Sequence, residues 1–137
     1  MNRWSGTIIA IESNDHLSLV DVLAGEDTFT AMLLETPQSA PHLKVGHTVA
    51  ILFKETEVAL AKNLAGQISL RNRVPCTVRE IRRGDILCEV LLERNGQMLT
   101  SIITTRAALR LDIQIGDAVE ALVKANEVSL AEVRDEL

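Results

Sequence analysis

The chain has 137 residues, two cysteines, 2% aromatic residues and a net charge of −5. That charge argues against direct nucleic-acid contact, which needs a basic stripe to displace counterions, and neither half of the chain has the thiols to staple itself with disulfides. No apolar run approaches the length of a membrane span, and Met1 to Gly6 lacks the basic-then-apolar layout of a secretory signal, so a cytoplasmic chain with no membrane partner is expected.

The sequence repeats itself with a period of 70 residues. Asn2 matches Asn72, Arg3 matches Arg73, Thr7 matches Thr77 and Ile11 matches Ile81. The register then holds through Thr30/Thr100, Gly46/Gly116, Lys54/Lys124 and Ala61/Ala131. A fixed period identifies the folding unit, which gives a first repeat at 1–65 and a second at 66–137. Units this small bury proportionately little surface, so they are expected to pack against each other or against further copies, as a homo-oligomer.

The first repeat reads as a series of short strands, with Thr36 as a candidate helix cap and Pro37 at the first helical position. Pro41 follows almost at once and should stop that helix after about a turn. A linker runs from about Asn63 to Gln67, with Gly66 as its pivot. In the second repeat, Cys76 to Ile81, Ile86 to Leu92, Met98 to Ile103, Ala118 to Val123 and Val128 to Ala131 are rich in Val, Ile and Leu and separated by Gly84, Asn95-Gly96, Gly116 and Asn126. Asn95-Gly96 between apolar runs signals a tight hairpin. Thr105 to Leu111 has helical spacing, and Thr104 or Thr105 can cap it. Five strands with a helix before the fourth describe a small Greek-key barrel. The expected fold is therefore all-β: two tandem OB-like five-stranded Greek-key barrels, each with one short helix.

One short segment offers anion chemistry, and the same string also reads as an ordinary strand entry. Ser69-Leu70-Arg71-Asn72 supplies a hydroxyl, a guanidinium and an amide within four residues, beside backbone N–H groups that an irregular turn can aim at one point. No nucleophile stands near a base, no carboxylates form a recognisable pair and no Gly-rich phosphate loop is present, so catalysis is not expected. Cys76 and Cys88 fit no metal or redox spacing and read as small thiols on strands. His16, His42 and His47 show no ligand spacing and read as surface residues.

Taken in order, Ser69-Leu70-Arg71-Asn72, Cys76-Thr77-Val78, Ile103-Thr104, Gly116 and Lys124-Ala125 resemble the motifs of the molybdate-binding Mop, or molbindin, family. The opening Asn2-Arg3-Trp4-Ser5-Gly6-Thr7-Ile8 is similar to the molybdate-sensing half of the molybdate-responsive transcription regulator. The resemblance covers both repeats. It implies an intracellular module that holds molybdate or tungstate, for storage or homeostasis, at seams between repeats or subunits. The implied site residues are Ser69, Arg71, Asn72, Thr104, Lys124 and Ala125, with Lys54 as a further contributor. A homotrimer is favoured over a dimer. The alternatives are an oxyanion-sensing module of such a regulator, in which the start at Met1-Asn2 marks one part of a longer protein, and a regulatory or interaction domain without a ligand.

The first repeat departs from this pattern. At the 70-residue offset Arg71 falls on Met1, and Ser69 falls before the chain begins. Leu34 replaces the hydroxyl of Thr104, and Glu55 stands where the second repeat has Ala125. A carboxylate there repels a dianion, so the first repeat is not expected to make a full site alone.

Overall fold

Side chains on a strand point to alternate faces, and the first strand shows the consequence. Asn2, Trp4, Gly6 and Ile8 are buried while Arg3, Ser5 and Thr7 face solvent. The computed structural model describes residues 1–133. In chain order its elements are β1 (Asn2–Ser13), β2 (Ser18–Ala24), β3 (Asp27–Leu33), β4 (Thr48–Phe53), β5 (Ala59–Ala61), β6 (Asn72–Arg83), β7 (Leu87–Arg94), β8 (Gln97–Thr104), α1 (Thr105–Arg110), β9 (Ala118–Val123) and β10 (Ser129–Glu132). Single 3₁₀ turns, Glu55–Glu57 and Ala125–Glu127, follow β4 and β9.

These strands form two antiparallel five-stranded sheets, ordered β10-β4-β1-β2-β3 and β5-β9-β6-β7-β8. The last strand of each repeat therefore lies in the other repeat's sheet: Leu130 pairs with Ile51 and Leu60 with Ala121. The 3₁₀ turns make the crossing, because each reverses the chain just past the end of a central strand and sends it to the neighbouring barrel. The stretches 1–65 and 66–137 thus each give four strands to one sheet and one to the other.

Local signals decide the turns. Asn95 and Gly96 both have positive φ, 49° and 83°, as a type I′ hairpin requires. Both long strands carry a bulge at the same place in the repeat, between Ile8 and Ala10 and between Val78 and Glu80, which bends the strand and lets one sheet curl. Thr104 caps α1, its hydroxyl accepting from the Ala107 N–H at 3.1 Å. The expectation of a helix in each barrel needs correction. Residues 36–40 form one hydrogen-bonded turn, with the Ala40 N–H donating to the Thr36 carbonyl at 2.8 Å, because the Pro41 ring blocks a second turn.

One apolar core runs through both barrels. In the first, Phe29 stacks on Phe53 with centroids 5.9 Å apart and meets Trp4 edge-on at 5.5 Å. The second has no aromatic counterpart and fills the space with Val74, Val78, Val90, Leu92 and Leu99. The histidine expectation holds for the exposed His16 and His47, but His42 is half-buried and its Nε2 is enclosed without a hydrogen-bond partner.

Candidate functional site

The candidate oxyanion donors stand at the two ends of the second repeat, and sheet register brings those ends together. Asn72 pairs with Val123 across β6 and β9. In an antiparallel pair, the chain just before Asn72 runs beside the chain just after Val123. Ser69, Leu70 and Arg71 thus approach the turn that begins at Lys124 and Ala125. Ser69, Arg71 and Lys124 are exposed and Ala125 is half-buried, so the cluster presents a hydroxyl, two cations and the first N–H groups of a 3₁₀ turn on an open edge. Unpaired N–H groups beside a cation suit an anion.

Asn72 has a different setting. It is 1% exposed, and its amide is fully engaged with the other barrel: Nδ2 donates to the Thr30 carbonyl at 2.9 Å, and Oδ1 accepts from the Thr30 N–H at 2.7 Å. Asn2 makes the same pair of bonds with Thr100, both at 2.8 Å. The repeated Asn and the repeated Thr therefore form a reciprocal clasp, which occupies the side-chain hydrogen-bonding groups of both asparagines. The clue was present in the sequence as two asparagines and two threonines conserved in the 70-residue register, but not the knowledge that each asparagine reaches the opposite threonine.

The exchange of strands also separates Thr104 from Lys124 within the chain. The turn Ala125–Glu127 packs on β3 of the first sheet, whereas the turn Glu55–Glu57 packs on β8, the strand that ends at Thr104. The turn that begins after Lys124 thus lies against the first repeat's β3. The turn that begins after Lys54 lies against β8, where Ser101 meets the Val58 carbonyl. At the Lys54 turn, Glu57 Oε1 accepts from the Lys54 N–H at 3.0 Å, and Glu55 pairs with the Met1 amino group. Glu55 thus places a carboxylate where the Lys124 turn has Ala125, whereas Glu57 has its counterpart in Glu127.

Other polar groups join the barrels without forming a site. Arg94 makes a bidentate ion pair to Asp27, at 3.0 and 3.1 Å, across the two hairpin tips. Ser101 donates to the Val58 carbonyl at 2.7 Å. Among the described residues no group of three His, Cys, Asp or Glu is arranged to hold a metal ion. Burial pushes the Cys76 thiol up to about 12, so it stays protonated and is unsuited to nucleophilic or metal chemistry.

Comparison with known proteins bears on this geometry. Residues 68–130 match the TOBE domain model. The chain is 32% identical to the DNA-binding transcriptional dual regulator ModE of Escherichia coli K12, over 95% of this chain and 50% of that protein. It is 29% identical to the molybdenum transport protein ModE of Herbaspirillum seropedicae, over 98% of this chain and 51% of that protein. The chain thus spans about half the length of these relatives. Its structure superimposes on that of the cytoplasmic molybdate-binding protein ModG, solved with molybdate bound, with a TM-score of 0.90, 30% identity and 96% of each chain covered. Matched over 96% of its length at 30% identity by that structure, and over residues 68–130 by the TOBE model, the chain belongs to the Mop, or molbindin, family of molybdate-binding domains.

Proposed function

We propose that this chain binds molybdate or tungstate inside the cell, as a storage or homeostasis protein rather than an enzyme. The observation that carries the reading is the two-way match, over 96% of both chains, to a protein solved with molybdate bound. The chemistry of the second repeat agrees with it. A tetrahedral dianion is well held by neutral donors that need little rearrangement, balanced by one or two cations. Ser69, Arg71, Lys124 and the Ala125 N–H supply that set on one edge. Asn72 acts by fixing the start of β6, through its clasp with Thr30, and Thr104 reaches the anion from a neighbouring subunit.

That division makes the site a seam between copies, in a homo-oligomer for which we favour a trimer over a dimer. Lys124 is exposed, and the turn beside it packs on β3 rather than on β8, the strand that ends at Thr104. Lys54 is followed by Glu55 where Lys124 is followed by Ala125, so its contribution is secondary. Among the described residues no helix is long and apolar enough to cross a membrane, and the net charge of −5 gives no basis for nucleic-acid contact by this part of the chain.

Titration calorimetry with molybdate, with sulfate as the control, tests the proposal. Binding that survives excess sulfate supports it, and the absence of heat and of thermal stabilisation with molybdate and tungstate overturns it. A second reading, an oxyanion-sensing module, is favoured by the match to ModE over 95% of this chain. Sedimentation with and without molybdate separates the two: a ligand-driven change of shape or assembly points to sensing, and tight binding without one points to storage.

A further inference from the structure

The turns that follow Lys54 and Lys124 share one backbone and differ in one charge. At the two lysines φ and ψ are −76°, 147° and −70°, 142°, and in each turn the N–H of the third residue on, Glu57 or Glu127, donates to the lysine carbonyl at 2.9 Å. Burial runs in step: Lys54 and Lys124 are exposed, Glu55 and Ala125 half-buried, Val58 and Val128 buried. The neighbouring strand entries match as well. Asn2 pairs with Phe53 as Asn72 pairs with Val123, and each asparagine is held by its clasp to the other barrel. Met1 therefore stands beside Lys54-Glu55 as Arg71 stands beside Lys124-Ala125.

The charges that meet at these two places are different. In the first barrel Glu55 pairs with the Met1 amino group, so the residue in the place of Ala125 reaches the residue in the place of Arg71. In the second barrel Ala125 carries no charge, and neither Arg71 nor Lys124 forms an ion pair with a described residue. The chain's own carboxylate thus takes up a cation at the edge where the second barrel leaves two cations open. A tethered anion is present at high effective concentration whatever the solute, and it repels a dianion that approaches the same lysine.

We infer that Glu55 is a built-in stand-in for the oxyanion: it occupies the first-barrel counterpart of the anion edge, and its removal opens a second oxyanion site at Lys54. That role rests on the oxyanion chemistry proposed for the second barrel, and it sets how many anions one chain takes. The scaffold of the closed site is intact, because the turn, the strand entry, the clasp and the lysine are all in place. The opened site is weaker than the other, because Leu34 stands where the second repeat has the Thr104 hydroxyl.

The test is the amount of molybdate bound per chain at saturation, by equilibrium dialysis in excess sulfate, with circular dichroism to show that each variant is folded. Glu55→Ala should fold as the wild type does, because Ala125 occupies the same place in the same turn. It should bind about twofold more molybdate than the wild type, the added anion being held about tenfold more weakly than the first. In that background Lys54→Ala should remove the added anion, and Lys124→Ala should remove the original one and leave the added one. The reverse change, Ala125→Glu, should cut binding by the wild-type chain about tenfold or more. A folded Glu55→Ala variant that binds no more than a binding wild type overturns the role of Glu55 and leaves the second-barrel site standing. Added binding that survives Lys54→Ala overturns it too, because the anion then sits elsewhere. A wild type that binds nothing, beside a Glu55→Ala variant that binds through Lys54, overturns the second-barrel site and leaves this one. Silence from both overturns both.

Discussion

The turn after β4 and the turn after β9 have the same backbone: a lysine, then a single 3₁₀ turn, then a strand that crosses to the other barrel. They differ in what surrounds the lysine. Lys54 is followed by Glu55, whereas Lys124 is followed by Ala125 and approached by Ser69 and Arg71; Glu57 and Glu127 are common to both. One duplicated scaffold thus has the same architecture at both ends and the proposed anion site at one. Architecture survives because the crossing strands need both turns, whereas a binding site can be lost at one end without cost to the fold.

The largest expected effect comes from cutting the scaffold where the repeats meet. Expressed alone, residues 66–137 keep β6 to β9 but lose β5, and β10 loses the β4 edge on which it pairs. An open sheet edge and an uncovered core should leave this half unfolded by circular dichroism. Mixing it with residues 1–65 should recover the β signal. A second half that folds cooperatively by itself would mean that β10 can return to its own sheet.

Next in size is the clasp. Asn72→Ala strips two bonds from the Thr30 backbone and leaves buried groups unsatisfied, at a cost of about 3 kcal/mol in denaturant unfolding. Asn2→Ala removes the same two bonds but sits at 7% rather than 1% exposure, and about 2 kcal/mol is expected. Equal losses would show that solvent does not reach either amide. If neither variant is destabilised, the clasp does not hold the barrels together.

The anion site is the third contrast. Lys124→Ala should weaken molybdate binding by about tenfold or more, the worth of one charge-assisted contact, while Lys54→Ala changes it by less than about threefold. Calorimetry on both variants decides, and equal losses would place both turns in composite sites.

The fold was legible because duplication makes every pattern appear twice: the Val-rich strands, the Asn-Gly hairpin and the Thr104 cap could be checked against a second copy. The strand exchange was not. Val58 to Ala61 has the same alternation whichever sheet it joins, since pairing partners depend on the direction a three-residue turn takes. Asn72 shows the limit at the site. Its position in the motif was readable, but an amide that grips Thr30 and one that grips a ligand have the same sequence. Leu34 against Thr104 was readable as a difference between repeats. That the turn after each lysine packs on the other repeat's third strand required the topology.

The smallest expected effect is a pH dependence that belongs to the second barrel alone. Arg73 makes a bidentate pair with Glu120, at 2.9 and 2.8 Å, whereas its counterpart Arg3 forms no ion pair with a described residue, because Ala50 occupies the position of Glu120. The hydrogen bond from Arg73, with its charge adding to it, holds the Glu120 carboxyl below its ordinary value of 4.5, against the opposing pull of burial. A carboxyl depressed in the folded state stabilises the fold in full above its unfolded pKa, and that contribution is lost as pH falls through the folded value. The window therefore lies below about 4.5, and partial exposure of both partners keeps the effect small. Glu120→Gln should flatten the acid limb of the stability curve slightly, and Arg73→Met should remove the depression and do the same. Arg3→Met should leave the acid limb unchanged. Were Arg3→Met to flatten it as much as Arg73→Met, the acid sensitivity would belong to the positive charge of both barrels rather than to this one pair.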